Sequence, residues 1–173
     1  KIKDSNKTFD VFTTRADTLF GCTYCTLAPE HPLVKELTTQ EHQAEVDAYL
    51  KKCASKSDLE RTDLNKEKSG VFIGSYAINP INNKKVPIFV ADYVLNDYAN
   101  GIVMGVASAD KRDYDFAKIH NLEIVPVIEG DKPCITTDGK HINSGELDGL
   151  NIKEAMEKIN KFIVDNKFGS LTL

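Results

Sequence analysis

Val71-Phe72-Ile73-Gly74-Ser75-Tyr76-Ala77 and Val86-Pro87-Ile88-Phe89-Val90-Ala91 stand on either side of Asn79-Pro80-Ile81-Asn82-Asn83. Two β-rich runs joined by asparagines, which tolerate the positive φ of a tight turn, predict a β-hairpin. Outward from it, Gly101-Ile102-Val103-Met104-Gly105-Val106 is a short apolar run that suits a buried strand. Residues 9–14, 24–27 and 124–128 read as further strands, and residues 17–20 as a short helical turn. Pro29 and Pro32 bracket a loop that leads into helical sequence. Residues 40–53 predict a helix with Val46, Tyr49, Leu50 and Cys53 on one face. Residues 110–120 predict another. Ile152, Ala155, Met156, Ile159, Phe162 and Ile163 mark the apolar stripe of a closing helix. Residues 54–68 are polar and highly charged, which reads as an exposed, mobile segment. The expected fold is α/β, with a mixed, barrel-like sheet surrounded by helices.

The 173 residues fit one domain with a sizeable core. Apparent strands at both ends, with Leu171-Thr172-Leu173 apolar at the last, suggest a domain excised from something larger. Composition is that of an ordinary soluble domain, 41% hydrophobic and 28% charged. No apolar run approaches the ~20 residues that span a bilayer, and the first seven residues lack the apolar core of a secretory signal. The net charge is −4 with both signs interspersed, so RNA contact is expected at a local site rather than along a basic face. Cys22-Thr23-Tyr24-Cys25 has metal or redox spacing, but Cys53 and Cys134 stand alone. Two small apolar residues at the start of a strand is the simpler reading. With no disulfide framework, the expected location is the cytoplasm.

Two segments could carry chemistry. Thr13-Thr14-Arg15-Ala16-Asp17-Thr18 places three hydroxyls directly after an expected strand. They could orient a water or bind a substrate, or Thr14 or Asp17 could simply cap a short helix. In Asp110-Lys111-Arg112-Asp113, Asp110 as N-cap with Asp113 three residues on makes an acidic capping box. Lys111 and Arg112 oppose the helix dipole in that position. Arg112 suits a phosphate or terminal ribose and Asp113 a cationic group, against the alternative of a solvated charge cluster. The four histidines show no metal spacing, and no phosphate loop or nucleophile elbow is present. Any hydrolysis would rest on positioned water and groups supplied by the substrate.

The first segment, continued through Leu19-Phe20-Gly21 and Ala28-Pro29-Glu30-His31-Pro32-Leu33, closely resembles the threonine-rich motif of leucyl-tRNA synthetase editing domains. Those usually read T-T-R-P-D-T and continue to A-P-E-H-P-L. The second matches G-T-G-A-x-M-A-V-P-A-H-D-x-R-D-Y-E-F-A, here Ala99-Asn100-Gly101-Ile102-Val103-Met104-Gly105-Val106-Ala107-Ser108-Ala109-Asp110-Lys111-Arg112-Asp113-Tyr114-Asp115-Phe116-Ala117. The resemblance, to the bacterial-type editing (connective peptide 1) domain, covers nearly the whole chain. It implies a single editing domain over residues 1–173, inserted in a larger ATP-using synthetase, and deacylase activity on tRNA(Leu) mischarged with isoleucine, methionine, valine or norvaline. It further implies partners in the 3′ end of that tRNA and the rest of the synthetase, no membrane, and no metal or organic cofactor. Asp113 matches the aspartate that receives the α-ammonium, and Thr18 the threonine that excludes leucine. Thr13 and Thr14 match residues near the scissile ester and its water. Arg112 matches an arginine that holds the terminal nucleotide, Met104 and Tyr98 match pocket walls, and Arg15 and Asp110 fall within the same tRNA-end motifs. The departures are Ala16 for proline, Ala99-Asn100-Gly101 for G-T-G, and Ala107-Ser108-Ala109 for P-A-H. They support a second reading: a degenerate domain that packs on the synthetase and guides tRNA without hydrolysis.

Overall fold

The computed structural model describes residues 1–63 and 68–171. The chain divides into two compact units. One comprises Lys1–Phe12, Tyr24–Asn79 and Asn83–Gly105, and the other Thr13–Thr23, Pro80–Asn82 and Val106–Leu173.

The first unit contains the sheet. Strand β1 (Tyr24–Leu27) is followed by helices α1 (Pro32–Leu37), α2 (Gln43–Ala54) and α3 (Asp58–Arg61), then by β2 (Gly70–Ile78), β3 (Lys85–Ala91) and β4 (Ile102–Gly105). The strand order is β2-β3-β1-β4. β1 runs parallel to β3 and antiparallel to β4, and β2 antiparallel to β3. The sheet is therefore mixed, as the sequence predicts, but open at β2 and β4 among the described residues rather than closed. All four residues of β1 are buried, as an interior strand requires. The hairpin forms where expected. Asn79 donates its backbone N–H to the Lys84 carbonyl, and Asn83 takes a φ of 57°. A register shift between Phe72 and Tyr76, with Gly74 at φ 96°, makes a bulge in β2. Pro87 pairs with Tyr76 beside that bulge and just outside the parallel ladder, which begins at Ile88, so its missing N–H interrupts neither. Gly105 is a forced choice: a Cβ there would run into the buried Tyr24 ring.

Val46, Tyr49 and Cys53 of α2 are buried, while Leu50 is only partly so. Most described residues of the charged segment after α2 are exposed, as expected, but Arg61 and Lys68 are not. Arg61, 7% exposed, donates to the Asp92 and Val94 carbonyls and pairs with Glu30, and Lys68 is also buried. A guanidinium with that many acceptors can be buried without an orphaned charge. The rest of that charged run, residues 64–67, lies outside the described residues, as do Thr172 and Leu173 of the expected apolar end.

The second unit contains the 3-10 turn Ala16–Gly21, helix α4 (Lys111–Ile119), a further 3-10 turn at Gly145–Leu147 and helix α5 (Ile152–Asp165). Asn151 caps α5 through the Glu154 N–H. The α5 stripe buries Ala155 and Ile159 against Ala16 and Leu147, with Phe20, Leu150, Met156 and Ile163 packed around them. Phe162, also expected on the stripe, is substantially exposed.

Two expected strands are missing. Residues 9–14 carry no strand: the chain passes from one unit to the other between Phe12 and Thr13, and Phe12 is exposed. β-propensity is realised only where a half-buried pleated surface receives it. Residues 124–128 are likewise irregular, apart from a single bridge from Ile128 to His141.

Candidate functional site

The threonine segment forms a tied turn. Thr13 Oγ1 accepts the Arg15 N–H at 2.9 Å, and Thr18 Oγ1 donates to the Arg15 carbonyl at 2.8 Å. Thr18 is 2% exposed, whereas Thr14 is exposed. Arg15 holds the N-cap position with no side-chain cap, so neither Thr14 nor Asp17 acts as the expected cap. Asp17 turns inward instead. Its carboxylate accepts from Arg15 Nε and Nη2, both at 2.8 Å, and lies 2.8 Å from His141 Nε2. Asp17 and His141 are both fully buried. The Arg15 guanidinium is a bidentate partner of Asp17, and that bond is the main reason its pKa lies above the ordinary value. His141 was invisible to reasoning from spacing because it lies 124 residues from its partner.

The acidic segment begins α4. Asp110 is the N-cap, accepting the Arg112 N–H at 2.8 Å and the Asp113 N–H at 3.4 Å. Asp113 does not complete the expected capping box by reaching back to Asp110. Its Oδ2 accepts the Val106 N–H at 3.0 Å, and the side chain sits in the first helical turn at 9% exposure. The two cations that oppose the helix dipole are compensated locally: Lys111 pairs with Asp115 and Arg112 with Asp110. Arg112 remains half exposed on the surface.

These segments meet inside the second unit. Gly21, at the end of the threonine turn, packs so closely on Val106 and Val127 that a Cβ would stand 3.2 Å and 2.9 Å from their methyls. Val106 is the residue whose N–H Asp113 holds. Continuous contact therefore leads from the turn through Val106 to the buried carboxylate. Tyr98 and Met104 belong to the first unit. Tyr98 is exposed at the start of a 3-10 turn, and Met104 is partly buried in β4 opposite Cys25.

The family model for the editing domain of leucyl-tRNA synthetase matches residues 1–164. The chain belongs to the leucyl-tRNA synthetase editing-domain family. A solved structure agrees: the LeuRS of Agrobacterium radiobacter K84 (agnB2), in a ternary complex with tRNA and LeuAMS, is 33% identical with a TM-score of 0.74. The match covers 95% of this editing domain and 18% of that synthetase chain, so the domain spans less than a fifth of the protein it resembles. Among the described residues no helix is long and apolar enough to cross a membrane, and no group of three His, Cys, Asp or Glu is placed to hold a metal ion.

Proposed function

We propose that this editing domain, carried by a larger leucyl-tRNA synthetase, hydrolyses the ester of tRNA(Leu) bearing the wrong amino acid. A pocket discriminates one methylene by only ~1–3 kcal/mol, a limit for which aminoacyl-tRNA synthetases are themselves the standard example, so a second hydrolytic site is needed. The observation that carries the reading is the convergence of the threonine turn and the Asp113 carboxylate in one compact unit, although about ninety residues separate them.

The side chains suit the parts. Asp113 receives the α-ammonium by a charge-assisted hydrogen bond while Val106 N–H fixes one of its oxygens. Thr13 Oγ1 is used as an acceptor by Arg15 N–H, which leaves its hydroxyl proton to donate toward the ester or its water. Thr14 is exposed beside it. Thr18 has its hydroxyl tied back to Arg15, so its β-branched side chain is a stiff wall against leucine. Arg112, Asp110 and Arg15 hold the tRNA end. Water attacks the ester carbonyl, the ribose oxygen leaves and takes up a proton, and free amino acid and tRNA result. The decisive experiment is deacylation of Ile-tRNA(Leu) by the full-length protein. Release of isoleucine with Leu-tRNA spared is the expected result. Release from neither ester refutes hydrolysis and leaves the guiding role suggested by Ala107-Ser108-Ala109.

A further inference from the structure

A buried histidine of the second unit, His141, touches the residues assigned to the reaction through Asp17. The His141 ring is fully buried and is flanked by acceptors on both sides. Nδ1 lies 2.9 Å from the Leu150 carbonyl, which can only accept, and Nε2 lies 2.8 Å from an Asp17 oxygen. A carboxylate held by a guanidinium also accepts, so each ring nitrogen has an acceptor within hydrogen-bond distance. The ring itself cannot drift, because the His141 N–H donates to the same Leu150 carbonyl and its own carbonyl accepts from Gly149, each at 2.9 Å. Leu150 in turn packs on the α5 cluster that also holds Ala16 and Phe20.

We propose that His141 is a positioning residue for the editing site: it clamps Asp17 and thereby sets the threonine turn and the orientation of Arg15. Asp17 stands directly between Ala16 and Thr18, and the carbonyl that orients the Thr18 hydroxyl belongs to Arg15. Asp17 accepts from Arg15 on both oxygens and from His141 on one. Without His141 the Asp17 carboxylate is left in a fully buried place with Arg15 alone, and the turn must move to follow it. The apolar side of the turn is fixed by α5, and the polar side by His141. Shape selection at Thr18 then depends on a ring that substrate never reaches.

The activity arm of the test rests on the proposed deacylation; the structural arm does not. In the full-length protein, His141→Gln keeps a similar volume and one donor but cannot satisfy both acceptors. The expected result is a fall in kcat for Ile-tRNA(Leu) on the order of 10–100-fold, as for other small misplacements of reacting groups. KM is expected to be nearly unchanged, and discrimination against Leu-tRNA to narrow, while leucylation is unaffected. Hydrogen exchange in peptides covering residues 13–22 should quicken on the order of ten-fold, with no change over residues 24–27. The double variant H141Q/D17N should be no worse than the poorer single variant, because both remove one interaction. Wild-type exchange over residues 13–22 in His141→Gln overturns the proposal. So does loss of leucylation together with editing, which marks global damage, and so do multiplicative single-variant effects. If the wild type hydrolyses no ester, the proposed function fails and the exchange experiment alone decides the clamp.

Discussion

Replacing Asp113 by Asn and, separately, by Ala divides what this carboxylate does for the substrate from what it does for the fold. Asn keeps the volume and an oxygen able to accept the Val106 N–H, but removes the negative charge. A hydrogen bond to a charged group contributes ~1.5–3 kcal/mol, so losing the ammonium contact should lower kcat/KM for Ile-tRNA(Leu) by about 10–150-fold. Because Asp110 supplies the helix cap, the stability of Asp113→Asn should stay near wild type. Ala also strands the Val106 N–H, in a residue that is itself buried. An unsatisfied buried donor costs ~1–3 kcal/mol, and each kcal/mol lowers Tm by ~2–4 °C in a domain of this size. The assay pairs single-turnover deacylation with thermal melting for both variants. Equal destabilisation by Asn and Ala would show that the charge itself holds the fold. Normal deacylation by Asp113→Asn would refute the ammonium assignment.

Thr18→Ala should admit leucine, raising Leu-tRNA hydrolysis by on the order of 10–200-fold, the range a methyl-sized difference commands; continued sparing of Leu-tRNA by an enzyme active on Ile-tRNA would place the gate elsewhere. Ala99 takes a φ of 52°, a left-handed conformation that costs a residue with a Cβ roughly 1–2 kcal/mol, so Ala99→Gly should raise Tm by a few degrees at unchanged activity; a lower Tm would mean that the Ala99 methyl contributes packing worth more than the strain. Burial lowers the His31 pKa below 6.5, and its Nδ1 accepts the Leu33 N–H that caps α1. The stability His31 supplies is therefore complete above pH 6.5 and is lost as the pH falls through the depressed folded value. His31→Asn, which keeps an acceptor that does not titrate there, should flatten the acid limb of Tm against pH, and an unaltered limb would remove His31 as its source.

What could be read from the residues was whatever local pattern dictates. The β1 run, the hairpin around Asn83 and the apolar stripe of α5 all declare themselves within a few residues, and all formed. The expected strands at 9–14 and 124–128 have the right residue types but no neighbouring strand, and propensity without a partner decides nothing. Arg61, in a stretch that is otherwise largely exposed, looked solvated because its acceptors, Glu30 and the carbonyls of Asp92 and Val94, lie about thirty residues away on either side. At the candidate site, the threonine and acidic segments were visible as motifs, and their hydroxyls and carboxylates were recognisable as chemistry. Their partners were not. Thr18 binding back to Arg15, Asp113 holding Val106 and His141 reaching Asp17 are tertiary choices that no local spacing encodes.

The position of β1 in the sheet has a consequence for biosynthesis. Both of its neighbours, β3 and β4, are made later, about sixty and eighty residues further along, which at ~5–20 residues per second means a wait of several seconds. During that interval Tyr24-Cys25-Thr26-Leu27 leaves the ribosome with its backbone unpaired and its side chains wet. Non-local pairing of this kind is slow to form. A strand that ends buried in the sheet is thus in need of protection on the nascent chain, and there it offers a holdase a hydrophobic handle.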